Sequence, residues 1–366
     1  MNKTKELLWK IRTAVADGKL SIENIPIADI KQCVYSEIGV HQNTVTENQY
    51  KSILESYQRL NADISEEECE KDKVILWLDA MILCADMLSD TIYTLANKEY
   101  WEYKHRGHLQ DLQVQEIINY IDKSHKIRVF NYDFFDEYME LPVELYYDGS
   151  CQMCYVPYKG RNMYFPRRWN EEEIVRYFRS LIAEQDEHSP HCYRHSGYDV
   201  EKGDVVVDVG AAEGIFTLDI IDTAQKVYLI EADEEWIEAL QQTFRNDSEK
   251  VRIIYGFADS ATDGDRLALD TLFTEEIHYI KMDVEGSEKA ALQGADRLFR
   301  ECERLKCAIC SYHCREDEEW IRNFLQMRNF DTDVSDGFMC PDWTVEAYLE
   351  AELRRGIVFG KKRMKE

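Results

Sequence analysis

Positive charge is scarce in this chain. Lys and Arg number 44 against 71 Asp and Glu in 366 residues, so the formal net charge at pH 7 is -27. Nucleic-acid binders gain affinity from clustered Lys and Arg, because these side chains neutralise phosphates. The composition therefore argues against a nucleic-acid partner, and an anionic membrane surface is disfavoured for the same electrostatic reason.

Long apolar runs are also missing. The longest, residues 74–88, is interrupted by Asp79 and Asp86 and is too short to cross a bilayer. Residues 1–20 follow an amphipathic helical pattern and lack the charged and then apolar organisation of a secretory leader. The 11 cysteines are odd in number and scattered. We therefore expect free thiols in a reducing, cytoplasmic compartment.

Two Cys-x-x-Cys pairs, Cys151 with Cys154 and Cys307 with Cys310, resemble a four-thiolate zinc pattern. The second pair lies in a predicted strand, where residues three apart face opposite sides of the sheet and cannot bind one ion. The spacing therefore disfavours structural zinc.

The length suggests more than one domain. Residues 1–140 carry apolar side chains at helical spacing and are predicted to form a helical N-terminal domain. Residues 141–200 are predicted to form a connector, with a β-hairpin that turns at 159–162 and a helix through residue 182 that Asn170 and Glu173 cap. Residues 201–366 are predicted to form the main α/β domain.

From residue 203 onward, apolar β-branched runs alternate with amphipathic runs. We predict strands at 205–207, 226–230, 251–255, 277–282, 305–311 and 330–334, and helices at 215–221, 234–246, 287–299 and 316–327. This alternation is typical of a doubly wound, mostly parallel α/β sheet. The run 355–361 is predicted to join the sheet antiparallel.

The densest signal is GDVVVDVGAAEG at residues 203–214. Gly210 and Gly214 bracket a turn whose backbone must approach another group closely, because glycine lacks a Cβ and tolerates positive φ. Strand, glycine turn and helix in this order form a nucleotide-binding corner. A dinucleotide fingerprint needs glycines where Ala212 and Ile215 stand, so NAD fits poorly. A corner of some other α/β protein is the alternative.

Acidic residues follow the predicted strands. Glu231 ends the second strand, where a carboxylate can accept hydrogen bonds from ribose hydroxyls. Asp259, in GFADS, either receives an adenine amino group or forms a turn with the next serine. Asp283 and Glu285 follow the strand at 277–282, at the sheet edge where ligands bind. We expect this acid pair to be functional, because its burial is costly.

His313 follows the strand at 305–311 and is predicted to face Asp283 and Glu285. A histidine beside carboxylates acts as a general base or as one ligand of a divalent metal. The polar segment 184–193, EQDEHSPHCY, lies just before the first strand and is either a lid over the sheet edge or an interdomain linker. Aromatic residues between Tyr93 and Tyr103 either line a sugar site or pack helices together.

Together these motifs resemble the FkbM-type methyltransferases. The resemblance extends over about residues 184–361 and rests on DVGAAEG, Glu231, LDTL at 269–272, IKMDVEGSEKAALQGA at 280–295, and Tyr312 with His313. It implies a seven-stranded Rossmann-like methyltransferase domain over residues 201–366. It further implies S-adenosylmethionine as the cofactor and O-methylation of a saccharide or polyketide-like hydroxyl. The helical front lies outside the resemblance.

The resemblance also implies residue roles. The turn residues Asp208, Gly210, Ala211 and Gly214 are expected to hold the methionine part of the cofactor, Glu231 its ribose and Asp259 its adenine end. Asp283, Glu285 and His313 are expected to face the acceptor. His313 or Asp283 is the expected base, and Glu285 orients the acceptor or a metal. If Mg²⁺ or Mn²⁺ is bound, these same three residues hold it. A nicotinamide enzyme and a noncatalytic scaffold are the other interpretations.

Overall fold

The computed structural model describes residues 98–341 and 351–364. The chain divides into two compact units, Met1–Asn131 with Cys340–Leu353 and Tyr132–Met339 with Arg354–Glu366. Most of the predicted helical N-terminal domain therefore lies outside the described residues. Elements are numbered below over the described part of the chain.

The described part of the first unit is helical, as its sequence pattern predicts. It contains α1 (Lys98–Lys104) and α2 (Leu112–Ser124). Helix α2 begins where the Asp111 side chain accepts a hydrogen bond from the Gln113 backbone, and it ends at His125, whose φ of 52° is left-handed. Its buried face repeats at helical spacing and consists of Val114, Ile117, Ile118, Tyr120 and Ile121.

The second unit opens with α3 (Asp133–Met139) and a small antiparallel sheet of β1 (Tyr146–Asp148), β2 (Met153–Tyr158) and β3 (Arg161–Tyr164). Lys159 and Gly160, with φ of 46° and 81°, form a two-residue turn between β2 and β3. The hairpin is therefore confirmed, but its turn is shorter than predicted, because positive φ at both central residues closes a tight turn.

Helix α4 (Glu171–Glu184) begins at the predicted capping box. The Asn170 side chain accepts from the Glu173 backbone at 3.0 Å, and the Glu173 side chain accepts from the Asn170 backbone at 2.8 Å. The helix continues two residues beyond the predicted end at residue 182, which brings Glu184 into its last turn.

The remaining elements alternate along the chain. In order they are β4 (Val205–Val209), α5 (Ile215–Ile220), β5 (Lys226–Glu231), α6 (Glu234–Thr243), β6 (Val251–Tyr255), β7 (Phe257–Ala258), β8 (Arg266–Leu267), α7 (Leu269–Leu272), β9 (Tyr279–Met282), α8 (Glu288–Gln293), α9 (Asp296–Glu301), β10 (Lys306–Cys310), α10 (Asp317–Gln326), β11 (Phe330–Val334) and β12 (Ile357–Lys362).

Seven of these strands form one sheet in the order β11-β12-β10-β9-β4-β5-β6. Strand β12 is antiparallel to both of its neighbours, and the other pairs are parallel. The predicted doubly wound, mostly parallel sheet is confirmed, and so is the antiparallel strand near residues 355–361. β7 and β8 form a separate two-stranded parallel sheet.

The central strand β4 is buried on both faces, which explains its continuous apolar run. Val206 packs in one hydrophobic cluster and Val207 in the other. Cys307 and Cys310 on β10 are divided between the same two clusters. These two thiols therefore face opposite sides of the sheet, as their spacing predicts.

The single helix predicted over 287–299 is wrong. The structure breaks it into α8 and α9 at Gly294, where a Cβ would lie 1.9 Å from the Asp259 carbonyl oxygen. The helical periodicity continues through this position, so the sequence pattern does not report the close contact.

Every cysteine in the described ranges is a free thiol. Over the same ranges, no helix combines the length and the apolar character that crossing a bilayer needs.

Candidate active site

A cavity of about 910 Å³ opens where β4, β5 and β9 end. The carboxyl edge of a parallel sheet is the usual place for ligands in such folds. Six of the residues singled out in the sequence line the cavity: Gly210, Ala211, Glu231, Asp259, Asp283 and Glu285. Asp208, Gly214 and His313 do not line it.

The two glycines of the turn make room for other parts of the chain. Gly210 has a φ of 71°, and a Cβ there would lie 1.7 Å from the Asp283 carbonyl oxygen. A Cβ on Gly214 would lie 2.9 Å from Leu240, on the helix that follows β5, and 2.9 Å from Phe244, the residue after that helix. The close approach that the sequence predicts is therefore an approach of the chain to itself.

Asp208 is fully buried beneath the turn. Its Oδ1 lies 3.2 Å from Lys281 Nζ, and its Oδ2 accepts a hydrogen bond from Thr217 at 2.8 Å. Burial raises the pKa of Asp208, and the charge of Lys281 opposes that effect. Lys281 also donates to the Gly210 carbonyl at 2.5 Å. Asp208 thus acts on the turn through Lys281, which does line the cavity.

Glu231 lies on the cavity wall, with its carboxylate held by backbone donors. Its oxygens accept hydrogen bonds from the backbone of Ala212 at 2.8 Å, Ala232 at 2.7 Å and Asp233 at 2.8 Å. A carboxylate offers about four acceptor positions, so about one remains for a ligand. Accepting both ribose hydroxyls therefore requires one backbone donor to move.

Asp259 forms the turn that was one of the two alternatives predicted for it. Its Oδ1 accepts from the Ser260 backbone at 2.5 Å and from the Ser260 hydroxyl at 3.1 Å. Its Oδ2 lies 3.6 Å from the guanidinium of Arg266, which also lines the cavity. Contact with an adenine stays a prediction.

Asp283 is the centre of a polar cluster. Tyr193 donates to its Oδ2 at 2.9 Å and Tyr312 to its Oδ1 at 3.5 Å, while His191 Nε2 lies 3.5 Å from Oδ2. Burial alone raises the pKa of Asp283, but its contact with His191 and the nearby charge of Lys281 outweigh burial and hold that pKa well below its usual range. Asp283 is therefore ionised at neutral pH and is a weak base.

His313 lies among three carboxylates. Nε2 is 3.6 Å from Asp283 and 3.4 Å from Glu285, and Nδ1 is 3.0 Å from Glu288. None of these three contacts has both the distance and the alignment of a hydrogen bond, so they are ion pairs. Burial lowers the pKa of His313, but the acidic partners outweigh it and raise the pKa to about 10. At neutral pH the ring is a cation, and its predicted action as a base stays a prediction.

The predicted metal ligands are only partly gathered. Ligand atoms of Asp283, His313 and Glu288 lie within 4.8 Å of one another, whereas the Glu285 side chain is 88% exposed. A metal binds the neutral imidazole, so it would have to displace the proton that the raised pKa of His313 retains. This donor set fits a metal poorly, and no chemical step is assigned to one.

The segment 184–193 forms a wall of the cavity. Glu184, Gln185, His191 and Tyr193 line it. The Gln185 side chain fixes the segment by donating to the His191 carbonyl at 3.3 Å and accepting from the Tyr193 backbone at 3.2 Å. His191 and Tyr193 are each only 5% exposed. A solvated linker is not buried in this way. The position of the segment over the sheet edge agrees with the other alternative, a lid over that edge.

An aromatic wall completes the site. Tyr177 and Trp236 line the cavity, and Trp169 packs against them with ring centroids 4.9 Å and 5.3 Å away. Tyr177 also donates to Glu213 at 2.7 Å. The sequence reasoning missed these residues, because large aromatic side chains at helical spacing are equally typical of a core.

The aromatic group predicted near a sugar lies elsewhere in the chain. Tyr93 and the side chain of Tyr100 are outside the described residues. Trp101 is 1% exposed, and Tyr103 is 63% exposed. A sugar contact by this group stays a prediction.

Among protein families, residues 257–334 match the model of the methyltransferase FkbM domain. The match spans β7 to β11 and contains Asp259, Asp283, Glu285 and His313. It confirms the resemblance noted in the sequence over these residues. No curated protein matches the chain.

Solved structures give distant matches. A methyltransferase FkbM from Methylobacillus flagellatus is 20% identical, with a TM-score of 0.38, over 51% of this chain and 54% of its own length. An rRNA methylase from Streptococcus thermophilus is 14% identical, with a TM-score of 0.33, over 45% of this chain and 90% of its own. The chain thus spans about half of the first of these structures.

Proposed function

We propose that this chain transfers a methyl group from S-adenosylmethionine to a hydroxyl of a saccharide or polyketide-like molecule. The premise is that residues 257–334 match the model of the methyltransferase FkbM domain. The observation that carries the proposal is the cavity itself. It joins the glycine turn, Glu231, Asp259 and the loop after β9 at one sheet edge. Its volume of about 910 Å³ lies near the upper end of the range for ligand sites.

The chemistry of the lining fits this cofactor. Seven carboxylates face the cavity against two cationic side chains: Glu184, Glu213, Glu231, Asp233, Asp259, Asp283 and Glu285 against Arg266 and Lys281. A negative lining attracts a ligand that carries a sulfonium charge. Phe257 is 57% exposed at the same wall and offers a flat apolar surface to a nucleobase.

The residues of the site bind and orient. When bound, S-adenosylmethionine supplies a methyl group that is already electrophilic. The turn around Gly210 would hold its methionine part and the carboxylate of Glu231 its ribose. Tyr193 and Tyr312 fix the ionised carboxylate of Asp283 in one place. Such fixed alignment is worth about 7 to 11 kcal/mol of the barrier in favourable intramolecular reactions.

The lining also favours a neutral acceptor. Carboxylates outnumber cations at the cavity wall, so a phosphate or carboxylate on the acceptor would be repelled. The aromatic wall of Tyr177 and Trp236 supplies apolar area, and the carboxylates accept hydrogen bonds from hydroxyls. A polyhydroxylated small molecule suits this combination.

Two experiments test the proposal on the full chain. Calorimetric titration with S-adenosylmethionine and S-adenosylhomocysteine is expected to give binding, and NADH is expected to give none. Incubation with a tritiated methyl donor and a panel of free sugars and glycosides is then expected to label at least one hydroxyl acceptor. A Glu231→Gln variant is compared with the wild type in both experiments. Its matched control is Glu249→Gln, because Glu249 is exposed and lies outside the cavity lining.

The other interpretations correspond to other results. Binding of NADH alone would favour a nicotinamide enzyme. Binding of S-adenosylmethionine without labelling of the panel or of a cell extract would favour a noncatalytic scaffold. Labelling of RNA but of no small molecule would contradict the acceptor class.

A further inference from the structure

Glu184 is a carboxylate of the cavity wall with few polar partners. It is the last residue of α4, and 27% of its side chain is exposed. In the described part of the chain, its side chain has one polar contact, at 3.6 Å between Oε2 and His191 Nδ1. By contrast, Glu231 is held by three backbone donors and Glu213 by Tyr177. One oxygen of Glu184 is therefore available to a ligand.

His191 connects Glu184 to the loop after β9. Its Nδ1 faces Glu184, and its Nε2 lies 3.5 Å from Asp283 and 3.6 Å from Cys310. Both ring nitrogens are thus directed at protein groups, so His191 is a positioning residue between the two carboxylates. Its backbone is fixed by Ser189, whose hydroxyl accepts from the His191 amide at 3.1 Å.

The surroundings of Glu184 favour its protonated form. Burial is the largest effect on the Glu184 carboxyl, and although the charge of His191 opposes it, the pKa rises to about 7. The titratable groups that face it from the neighbouring elements are Tyr177, His191, Glu213, Asp283, Glu285 and Tyr312. A base is most effective when its pKa lies near the working pH.

We propose that Glu184, on the wall of this cavity, takes the proton from the acceptor hydroxyl. This inference rests on the proposed function. In the step, the acceptor oxygen forms a bond to the methyl carbon and the carbon–sulfur bond breaks, leaving its electron pair on sulfur. The hydroxyl proton moves to the Glu184 carboxylate, so the positive charge of the sulfonium and the negative charge of the carboxylate both disappear.

Proton release on ligand binding tests this placement without an acceptor. A positive charge beside Glu184 lowers its affinity for a proton, and S-adenosylmethionine carries a sulfonium charge that S-adenosylhomocysteine lacks. Calorimetry at pH 7 in buffers of different ionisation enthalpy measures the protons released by each ligand. Wild type is expected to release up to about half a proton more with S-adenosylmethionine. Glu184→Gln is expected to abolish the difference, and Glu187→Gln, an exposed change on the same segment, to keep it.

The results separate the two proposals. Failure of both ligands to bind would overturn the proposed function. Binding of both with equal proton release, or a difference that persists in Glu184→Gln, would overturn the inference about Glu184. If Glu184→Gln does not fold, carbon-13 NMR of glutamate carboxyl groups in wild type decides. One glutamate is expected to titrate near pH 7 and to respond to S-adenosylmethionine alone, and absence of such a signal contradicts the proposal.

Discussion

Among the individual side chains, His313 has surroundings that its place in the sequence only partly reveals. The resemblance predicts that it faces the acceptor and that His313 or Asp283 is the base, and this stays a prediction. In the structure His313 does not line the cavity, and Asp283, Glu285 and Glu288 surround its ring. Glu288 is fully buried and accepts from the Val284 backbone at 3.0 Å. A cation between these carboxylates stabilises the loop after β9.

Replacement of His313 by alanine should therefore destabilise the fold. Removing one partner from buried ion pairs costs about 3 kcal/mol or more. The folded pKa of about 10 lies above the ordinary 6.5, so this stabilisation is complete below pH 6.5 and is lost as the pH rises through 10. Urea unfolding of wild type and variant, near pH 6.5 and above pH 10, is the measurement.

If the variant loses the same free energy of unfolding at both pH values, the loss comes from packing and not from the charge of His313. Affinity for S-adenosylmethionine should stay close to that of wild type in the variant, because His313 does not line the cavity.

Glu184, like His313, should lose its favourable contribution to stability as the pH rises, but its replacement is expected to stabilise the fold. Its pKa rises from 4.5 to about 7 on folding, so the folded state binds the proton more tightly. Its contribution is favourable below pH 4.5 and is lost as the pH rises through 7. Glu184→Gln should thus be more stable than wild type at pH 8, by up to about 3 kcal/mol.

Denaturant unfolding at pH 5 and pH 8 checks this, with Glu187→Gln as the control. If Glu184→Gln were less stable than wild type at pH 8, the burial argument would be contradicted.

Residue types and strand ends together predict four of the carboxylates on the cavity wall. Glu231, Asp259, Asp283 and Glu285 were placed at the sheet edge, because parallel strands end there together. Lys281 was missed although it stands in an otherwise apolar strand, since only the fold shows that it links Asp208 to the turn. The contacts of a long side chain depend on neighbours that are distant in sequence.

Two loops meet at the centre of the sheet, and each loop restricts the position of the other. The turn after β4 and the loop after β9 touch through Gly210 and the Asp283 carbonyl. Asp283 also donates its backbone amide to Val209 at 3.0 Å. A change in one loop therefore displaces the other, which carries Asp283 and Glu285.

Gly210→Ala should accordingly weaken the fold as well as cofactor binding. A Cβ 1.7 Å from a backbone oxygen cannot be accommodated without moving the loop, and we expect a loss of about 3 to 5 kcal/mol. Gly203→Ala is the control, because its φ of 92° is also positive but nothing lies within 4 Å of the added Cβ.

The control should lose only about 1 to 2 kcal/mol, the cost of a left-handed conformation for alanine. Thermal unfolding of both variants separates the two contributions. Equal losses would contradict the steric argument.

Regular elements were easier to predict than their interruptions. The limits predicted for β6 and β11, residues 251–255 and 330–334, are the observed ones. The break at Gly294 was not predicted, because the helical periodicity is unchanged there and its cause is the backbone of Asp259 on another element. The local hydrophobic pattern predicts which residues are buried. It does not predict a close contact between two elements, because that contact depends on the tertiary structure.

At the scale of the whole molecule, charge is the dominant feature. A net charge of -27 produces self-repulsion in the compact state. Salt screens such repulsion over a Debye length of about 10 Å at 0.1 M. Added KCl should therefore stabilise the protein, and a gain of about 1 kcal/mol corresponds to about 2 to 4 °C in Tm.

Thermal unfolding in low and moderate KCl tests this. A fall in Tm would mean that attractive ion pairs, such as the one between Arg161 and Asp222, outweigh the repulsion. Binding of S-adenosylmethionine should weaken over the same range, because the attraction of its charge to the acidic cavity is screened too.

The pattern of the sequence predicts the architecture of the sheet, but it does not predict which hydroxyl compound is the acceptor. Alternating patterns predict strand order only through the general rules of connection. The aromatic wall of Tyr177 and Trp236 combines α4 with α6, and it exists only once the chain has folded. Discrimination among hydroxyl acceptors depends on such surfaces, and short sequence motifs do not predict them.

The position of β12 also bears on synthesis at the ribosome. β11 ends at Val334, yet its neighbour in the sheet begins only at Ile357. At translation rates of about 5 to 20 residues per second, β11 waits about 1 to 5 s before it can pair. During that interval one edge of β10 is open to other nascent chains. The antiparallel insertion thus makes closure of the sheet a late event, and it identifies the emerging polypeptide as the form most exposed to aggregation.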